Sequence, residues 1–142
     1  MQVLTPTHKG PLGTVELNIE LQRLLQRKLF GVDAPAVEPG HRARVLAGDK
    51  VIQTKNDYDL GVMNGAMGIV RSANPDGSLV IDFDGRPAEI AATSDAIGNV
   101  QLAYATSIHK VQGSEFPCSV VIAYKSHSFM HHRNLLYTAV TR

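Results

Sequence analysis

The chain has 142 residues, 44% of them apolar, with 14 basic and 13 acidic side chains and a formal charge of +1. This excludes a disordered polyelectrolyte and fits one ordinary domain, or one domain carrying a small insertion. The single cysteine, Cys118, makes no internal disulfide and no thiolate metal cluster, and no apolar run approaches a membrane span, so the sequence reads as soluble and cytoplasmic.

Gln2 to Leu4 is a short strand, and the Pro- and Gly-rich "TPTHKGPLG" after it is a loop. A helix follows: Thr14 can cap it, and Leu17, Leu21, Leu24, Leu25 and Leu29 recur at helical spacing. Gly31 and Pro35 stop it, and residues 31–43 form a connector. From Val45 to Ala92 short β-rich runs alternate with turns: "KVIQT", Asn64-Gly65, "MGIVRS", "NPDG", "SLVIDF", Asp84-Gly85, "RPAEI". Asp-Gly between two such runs is a strong hairpin signal, and the alternation of Leu79, Ile81 and Phe83 buries one face of their strand. Four or five short strands in so few residues predict a small SH3-like barrel. After Asp95 the style changes. "VQLAYATSI" (100–108) and "SVVIAY" (119–124) are nearly continuous apolar strands of the kind found in parallel sheets covered on both sides, and "NLLYTAV" (134–140) reads as a helix. The expected architecture is an α/β domain, residues 1–43 and 98–142, interrupted by a barrel at 44–97.

Charge is unevenly placed. Residues 100–142 hold Lys110, Lys125, Arg133 and Arg142 against Glu115 alone, which favours an anionic partner there. The same region holds the densest chemistry, "YATSIHKVQGSEF" (104–116). In open parallel sheets, ligands bind beyond the carboxyl ends of the strands. Ser107 offers a small hydroxyl, His109 and Lys110 offer donors suited to phosphate, Gly113 admits a close approach of backbone, and Glu115 offers acceptors suited to sugar hydroxyls. This set suits a nucleotide or a nucleic-acid backbone.

"YATSIHKVQGSEF" with "LLYTAVTR" (135–142) resembles two adjacent motifs of superfamily 1 helicases. "VLTPTHKGPLGTVELN" (3–18) resembles the motif that precedes them in RecD/TraA-type helicases, the group containing the exodeoxyribonuclease V alpha chain. "GDKVIQTKNDYDLGVMNGAMGIV" (48–70) resembles the start of the SH3-like subdomain these proteins insert in their second RecA-like domain. The similarity runs through nearly the whole chain in the right order. It implies a RecA-like, P-loop NTPase-type parallel-sheet domain with an inserted barrel, and an ATP-dependent DNA helicase that acts in DNA repair and recombination and moves 5′ to 3′. Ser107 stands where the family has threonine and is implied to touch single-strand phosphate, with His109 and Lys110 on the same side. Gln112, Gly113 and Glu115 match the segment facing the nucleotide, Glu115 near the ribose. Arg142 matches the arginine that reaches the γ-phosphate across the cleft, and Lys9 falls in a loop that supplies a second cation. Val111 stands where the family often has a small residue, and nothing in the sequence explains it.

No "GxxxxGK[ST]" phosphate loop is present. "LVIDFD" (79–84) resembles a strand ending in a magnesium-binding aspartate, but Asp84-Gly85 reads as a hairpin turn. The chain is therefore expected to supply half of an ATP site, and to be a C-terminal piece of a larger protein. A first RecA-like domain would hold most of the ATP and its magnesium. The chain alone is expected to bind no cofactor and hydrolyse no ATP, and its partners are that domain and single-stranded DNA. Plainer readings stand elsewhere. His127, His131 and His132 read as a helix entry, because closed zinc sites need four ligands. Cys118 reads as a buried structural thiol, and Tyr58 and Phe129 as packing residues more than base-stacking ones. "NDYDLGVMNG" (56–65) is either a DNA-facing loop or a long hairpin connection, and Arg142, last in the chain, is open to fraying. The alternative function is a stand-alone SH3-like module that binds nucleic acid or protein without catalysis; such a module has no need of Glu115 and Arg142 in this order.

Overall fold

The computed structural model describes residues 1–38, 40–111 and 113–123. In chain order these form β1 (Gln2–Thr5), α1 (Thr14–Phe30), β2 (Lys50–Gln53), β3 (Met67–Ala73), β4 (Leu79–Phe83), β5 (Arg86–Ile90), a 3-10 turn (Asp95–Asn99), β6 (Val100–Leu102), β7 (Ala105–Ser107), a second 3-10 turn (His109–Val111) and β8 (Ser119–Val121). They divide into one unit of residues 22–103 and another of residues 1–21 with 104 onward; the division passes through α1.

In the unit of residues 22–103, an antiparallel sheet runs in the order β5-β4-β3-β2-β6. The alternation in β4 does what period two requires: Leu79, Ile81 and Phe83 are buried, and Val80 and Asp82 between them are partly exposed. Val51, Val70, Ala88, Ile90 and Val100 complete the same core. Burial of each large aliphatic contributes roughly 1.5–3 kcal/mol. Asp84 (φ 54°) and Gly85 (φ 82°) both take the left-handed backbone that a two-residue hairpin demands. Asp82 is held below the usual carboxylate range, first by the Arg71 guanidinium at 2.7 Å and then by the Gly85 N–H. A register shift between Val70 and Ser72 makes Arg71 the extra residue of a bulge, which increases local twist. The 56–65 segment is closed by Asp57 and Val62, which exchange backbone hydrogen bonds of 2.7 and 2.9 Å. Tyr58 at its tip is 79% exposed, so the packing role expected for it does not hold.

α1 departs from its leucine pattern. The buried stripe is Asn18, Gln22 and Gln26, spaced four apart on one face, whereas Leu24 is 60% exposed and Leu29 is exposed as well. The reason is hydrogen bonding. Residues 44–47 run without a ladder partner, and their carbonyls need donors. Gln22 Nε2 donates to Arg44 O and to Asp49 Oδ2, and Gln26 Nε2 to Ala47 O and Asp49 Oδ1, at 2.6–3.0 Å. The Leu46 N–H also donates to the fully buried Asp49 carboxylate. A leucine could make none of these bonds. Past Phe30, Gly31 turns left-handed (φ 65°) and the helix ends as expected.

In the other unit β1 lies between two parallel neighbours, in the order β7-β1-β8. Val3 stands opposite Ala105 and Val120, and Thr5 opposite Ser107. Asn18 on α1 pairs with β7 as a strand would: its Nδ2 donates to Ala105 O (2.8 Å) and its Oδ1 accepts the Ala105 N–H (2.9 Å). The single strand expected over 100–108 is two. β6 pairs antiparallel with β2, and β7 pairs parallel with β1. An unbroken apolar run carries no mark of which sheet each half joins, and that pairing is a tertiary matter. Cys118, expected to be buried, is exposed.

Candidate functional site

The parallel sheet brings Lys9, Ser107, His109 and Lys110 to the carboxyl ends of β1 and β7. Beyond β1, residues 6–13 form a tight loop. Thr5 Oγ1 donates to Leu12 O (2.7 Å), and the Gly13 N–H donates to Gly10 O (3.0 Å). A Cβ on Gly13 would lie 2.6 Å from the His8 and Lys9 carbonyls, so only glycine fits there. Those turns bring the Thr7 and His8 carbonyls to the first N–H groups of α1, donated by Thr14 and Val15. The expected capping role of Thr14 is thus taken by loop carbonyls, and its hydroxyl meets His8 Nδ1 instead. The loop leaves Lys9 exposed at its crest, with no ion pair among the described residues.

Beyond β7, the Ile108 N–H donates to Thr5 O, which ties the start of this turn to the end of β1. Ser107 is half-buried, and its Oγ accepts the Lys110 N–H at 3.3 Å. Val111 is buried and anchors the 3-10 turn, while His109 and Lys110 are exposed. Partial burial lowers the Lys110 ammonium from its ordinary range. The larger residue at Val111, unexplained in the sequence, is thus the hydrophobic pin of this turn. Ser107, His109, Lys110 and the Lys9 loop all follow adjacent, register-matched strands, Thr5 lying opposite Ser107. Such an edge offers hydroxyl, imidazole, ammonium and backbone donors to an anion.

Gly113 is left-handed (φ 85°), and the Ser114 N–H returns to Val111 O at 3.0 Å. Glu115 is exposed in the irregular segment that leads from the turn to the amino end of β8. Gln112 and Arg142 lie outside the described residues, as do the helix expected at 134–140, Phe129 and the histidines 127, 131 and 132. Among the described residues no group of three His, Cys, Asp or Glu could hold a metal ion. No helix among the described residues is long and apolar enough to cross a membrane.

Two family models match in the order of these elements. A model of the ATP-dependent RecD-like DNA helicase SH3 domain covers residues 17–83, and one of the UvrD-like helicase C-terminal domain covers residues 102–142. A protein of Deinococcus radiodurans named ATP-dependent RecD2 DNA helicase is 43% identical over all 142 residues. The chain belongs to the RecD-like helicase family. It spans 19% of the length of that relative and 23% of the RecBCD enzyme subunit RecD of Mycobacterium tuberculosis, to which it is 32% identical over 141 residues. The fold is shared with Pif1 helicases. One solved in a study of forked DNA unwinding gives a TM-score of 0.62, and one from Bacteroides, solved with ADP-AlF3 and single-stranded DNA, gives 0.60. Both are 18% identical and are covered to 36% and 38% of their chains by 99% of this one.

For a RecD-like chain, the structure adds one residue to the strand-end edge that sequence reasoning passed over. His8 precedes Lys9 as His109 precedes Lys110, and each pair sits two to four residues beyond a parallel strand. The repeated His-Lys dipeptide was a usable signal.

Proposed function

We propose that this chain supplies part of the second motor domain of an ATP-dependent DNA helicase in the cytoplasm, gripping single-stranded DNA and completing an ATP site shared with a first RecA-like domain. The observation that carries this reading is the row of exposed donors at the ends of β1 and β7: Lys9, His109 and Lys110, with the Ser107 hydroxyl between them. In this reading Ser107 and His109 bind a single-strand phosphate and Lys110 adds charge on the same side. Gln112, Gly113 and Glu115 face the nucleotide, Glu115 taking a ribose hydroxyl. Arg142 stabilises charge on the transferred phosphoryl group, and Lys9 supplies a second cation. The exposed cationic edge suits ATP phosphates, and in this reading the partner domain holds the magnesium. The inserted barrel, expected at 44–97 between 1–43 and 98–142, also takes in β6, which pairs with β2. Because Ser107 to Glu115 is one short stretch, DNA grip and nucleotide state are coupled through a single turn.

The test uses the full-length protein. Ser107→Ala with His109→Ala is expected to weaken oligo-dT binding and to lower the slope of log affinity against log salt slightly. Arg142→Ala is expected to cut DNA-stimulated hydrolysis by about 10³ while sparing DNA binding. An unchanged salt slope would move the DNA path elsewhere, and equal loss of binding and hydrolysis would make Arg142 structural.

A further inference from the structure

The barrel unit carries a cavity of about 240 Å³ that the helicase reading leaves unused. Its lining includes Val45 and Ile97, both partly buried, together with Leu79 and Val100 of the core, and Arg42 and Arg44. Arg42 is fixed in place: its guanidinium donates to Gly98 O and Val100 O. Arg44 is exposed and has no ion pair or side-chain hydrogen bond among the described residues. No carboxylate lines the cavity. The nearest in sequence, Asp76, is turned to the Ser78 N–H and hydroxyl, which hold it below the usual carboxylate range.

An apolar floor beneath unpaired positive charge selects its occupant. Aliphatic walls accept an apolar side chain, and a guanidinium fork accepts a carboxylate or a phosphate. The floor decides between protein and nucleic acid. Among the described residues no aromatic ring lines the cavity, so a nucleobase finds no stacking face there. A base would also bury polar edges against aliphatic carbon, and the one lining amide, Asn74, already donates to Ser78 Oγ. We infer that this cavity docks an acidic segment of a partner protein, with a leucine-like side chain against Val45 and Ile97 and a neighbouring carboxylate on Arg44. The inference does not depend on the ATP-site assignment.

The probe is a fluorescein-labelled hexapeptide of alternating aspartate and leucine, titrated into the full-length protein by fluorescence anisotropy. Saturable binding is expected. It should weaken about tenfold in Arg44→Glu and recover in part in Arg44→Lys. A large excess of a twelve-nucleotide oligo-dT should leave it in place. Binding absent up to millimolar protein, or binding indifferent to Arg44→Glu, overturns the proposal. Displacement by oligo-dT also overturns it and gives the cavity to nucleic acid. Arg44 is exposed and its backbone carbonyl, which accepts Gln22, is kept in every variant, so folding is not at stake.

Discussion

The two units weight apolar packing and buried hydrogen bonds differently. Both bury polar side chains, but the barrel unit sets Gln22, Gln26, Asp49 and Gln53 beside a large core shaped by apolar alternation, in which Val51, Val70, Ile81, Phe83 and Ile90 take part. Among the described residues the strand-end unit buries as many polar side chains beside fewer apolar ones. Gln2, Thr5, Asn18 and Thr106 are all buried, and each is tied to backbone or side chain: Gln2 Nε2 to Thr106 Oγ1, Thr5 to Leu12 O, Asn18 to both backbone groups of Ala105. Apolar packing tolerates exchange among residues of similar volume, whereas a buried amide is worth something only where its partners stand. The candidate chemistry sits on the second kind of scaffold, where side-chain hydrogen bonds fix loop positions more narrowly than packing does.

The difference can be tested, and the largest effect should come from the barrel. Ile81→Ala removes a fully buried side chain at the centre of the core and is expected to cost about 3–4 kcal/mol in urea unfolding, with Ile81→Val costing about 1. Loss below 1 kcal/mol for the alanine variant would show that the core relaxes around the cavity. Asn18→Ala should cost about 2 kcal/mol, since the Ala105 N–H and C=O both lose their partner. Here the near-isosteric Asn18→Leu should be no better than alanine. If leucine rescued stability, this unit too would be held by packing. Gln53→Leu should move the other way. That amide is fully buried in β2 and neither of its polar atoms has a partner, so the apolar variant is expected to gain about 1 kcal/mol, measured as a higher urea midpoint at unchanged slope.

The smallest effect concerns pH. Asp82 has a depressed pKa in the folded state, so its contribution is present above the ordinary carboxylate pKa of about 3.9 and is lost as pH falls below it. Asp82→Asn should therefore be slightly less stable than the parent at pH 7, and the gap should close in titrations below about pH 4. A gap that persisted in acid would mean that the carboxylate acts through shape and not through charge.

The barrel was legible because period two is written in single residues: Leu79, Ile81 and Phe83 declare a face, and Asp84-Gly85 declares a turn. The strand-end residues Ser107, His109 and Lys110 were legible because charge crowds a strand end with no apolar reason. Helical periodicity located α1 but not its fully buried stripe, which is Asn18, Gln22 and Gln26, while Leu17, Leu21 and Leu25 are partly buried. A glutamine spaced for burial looks in sequence like a glutamine spaced for solvent, and only the Arg44 and Ala47 carbonyls and the Asp49 carboxylate distinguish them.

By itself the sequence determined the strands with alternating faces, the two-residue turn, the end of the helix at Gly31 and the motif order that places the chain among RecD-like helicases. Each of these depends on groups near one another along the chain. The tertiary structure alone decided that residues 100–108 serve two sheets, that Cys118 and Tyr58 face water, that Asn18, Gln22 and Gln26 form the buried stripe of α1, and that Arg42 and Arg44 line a cavity. Those outcomes depend on which distant segments come together, and no local pattern records that.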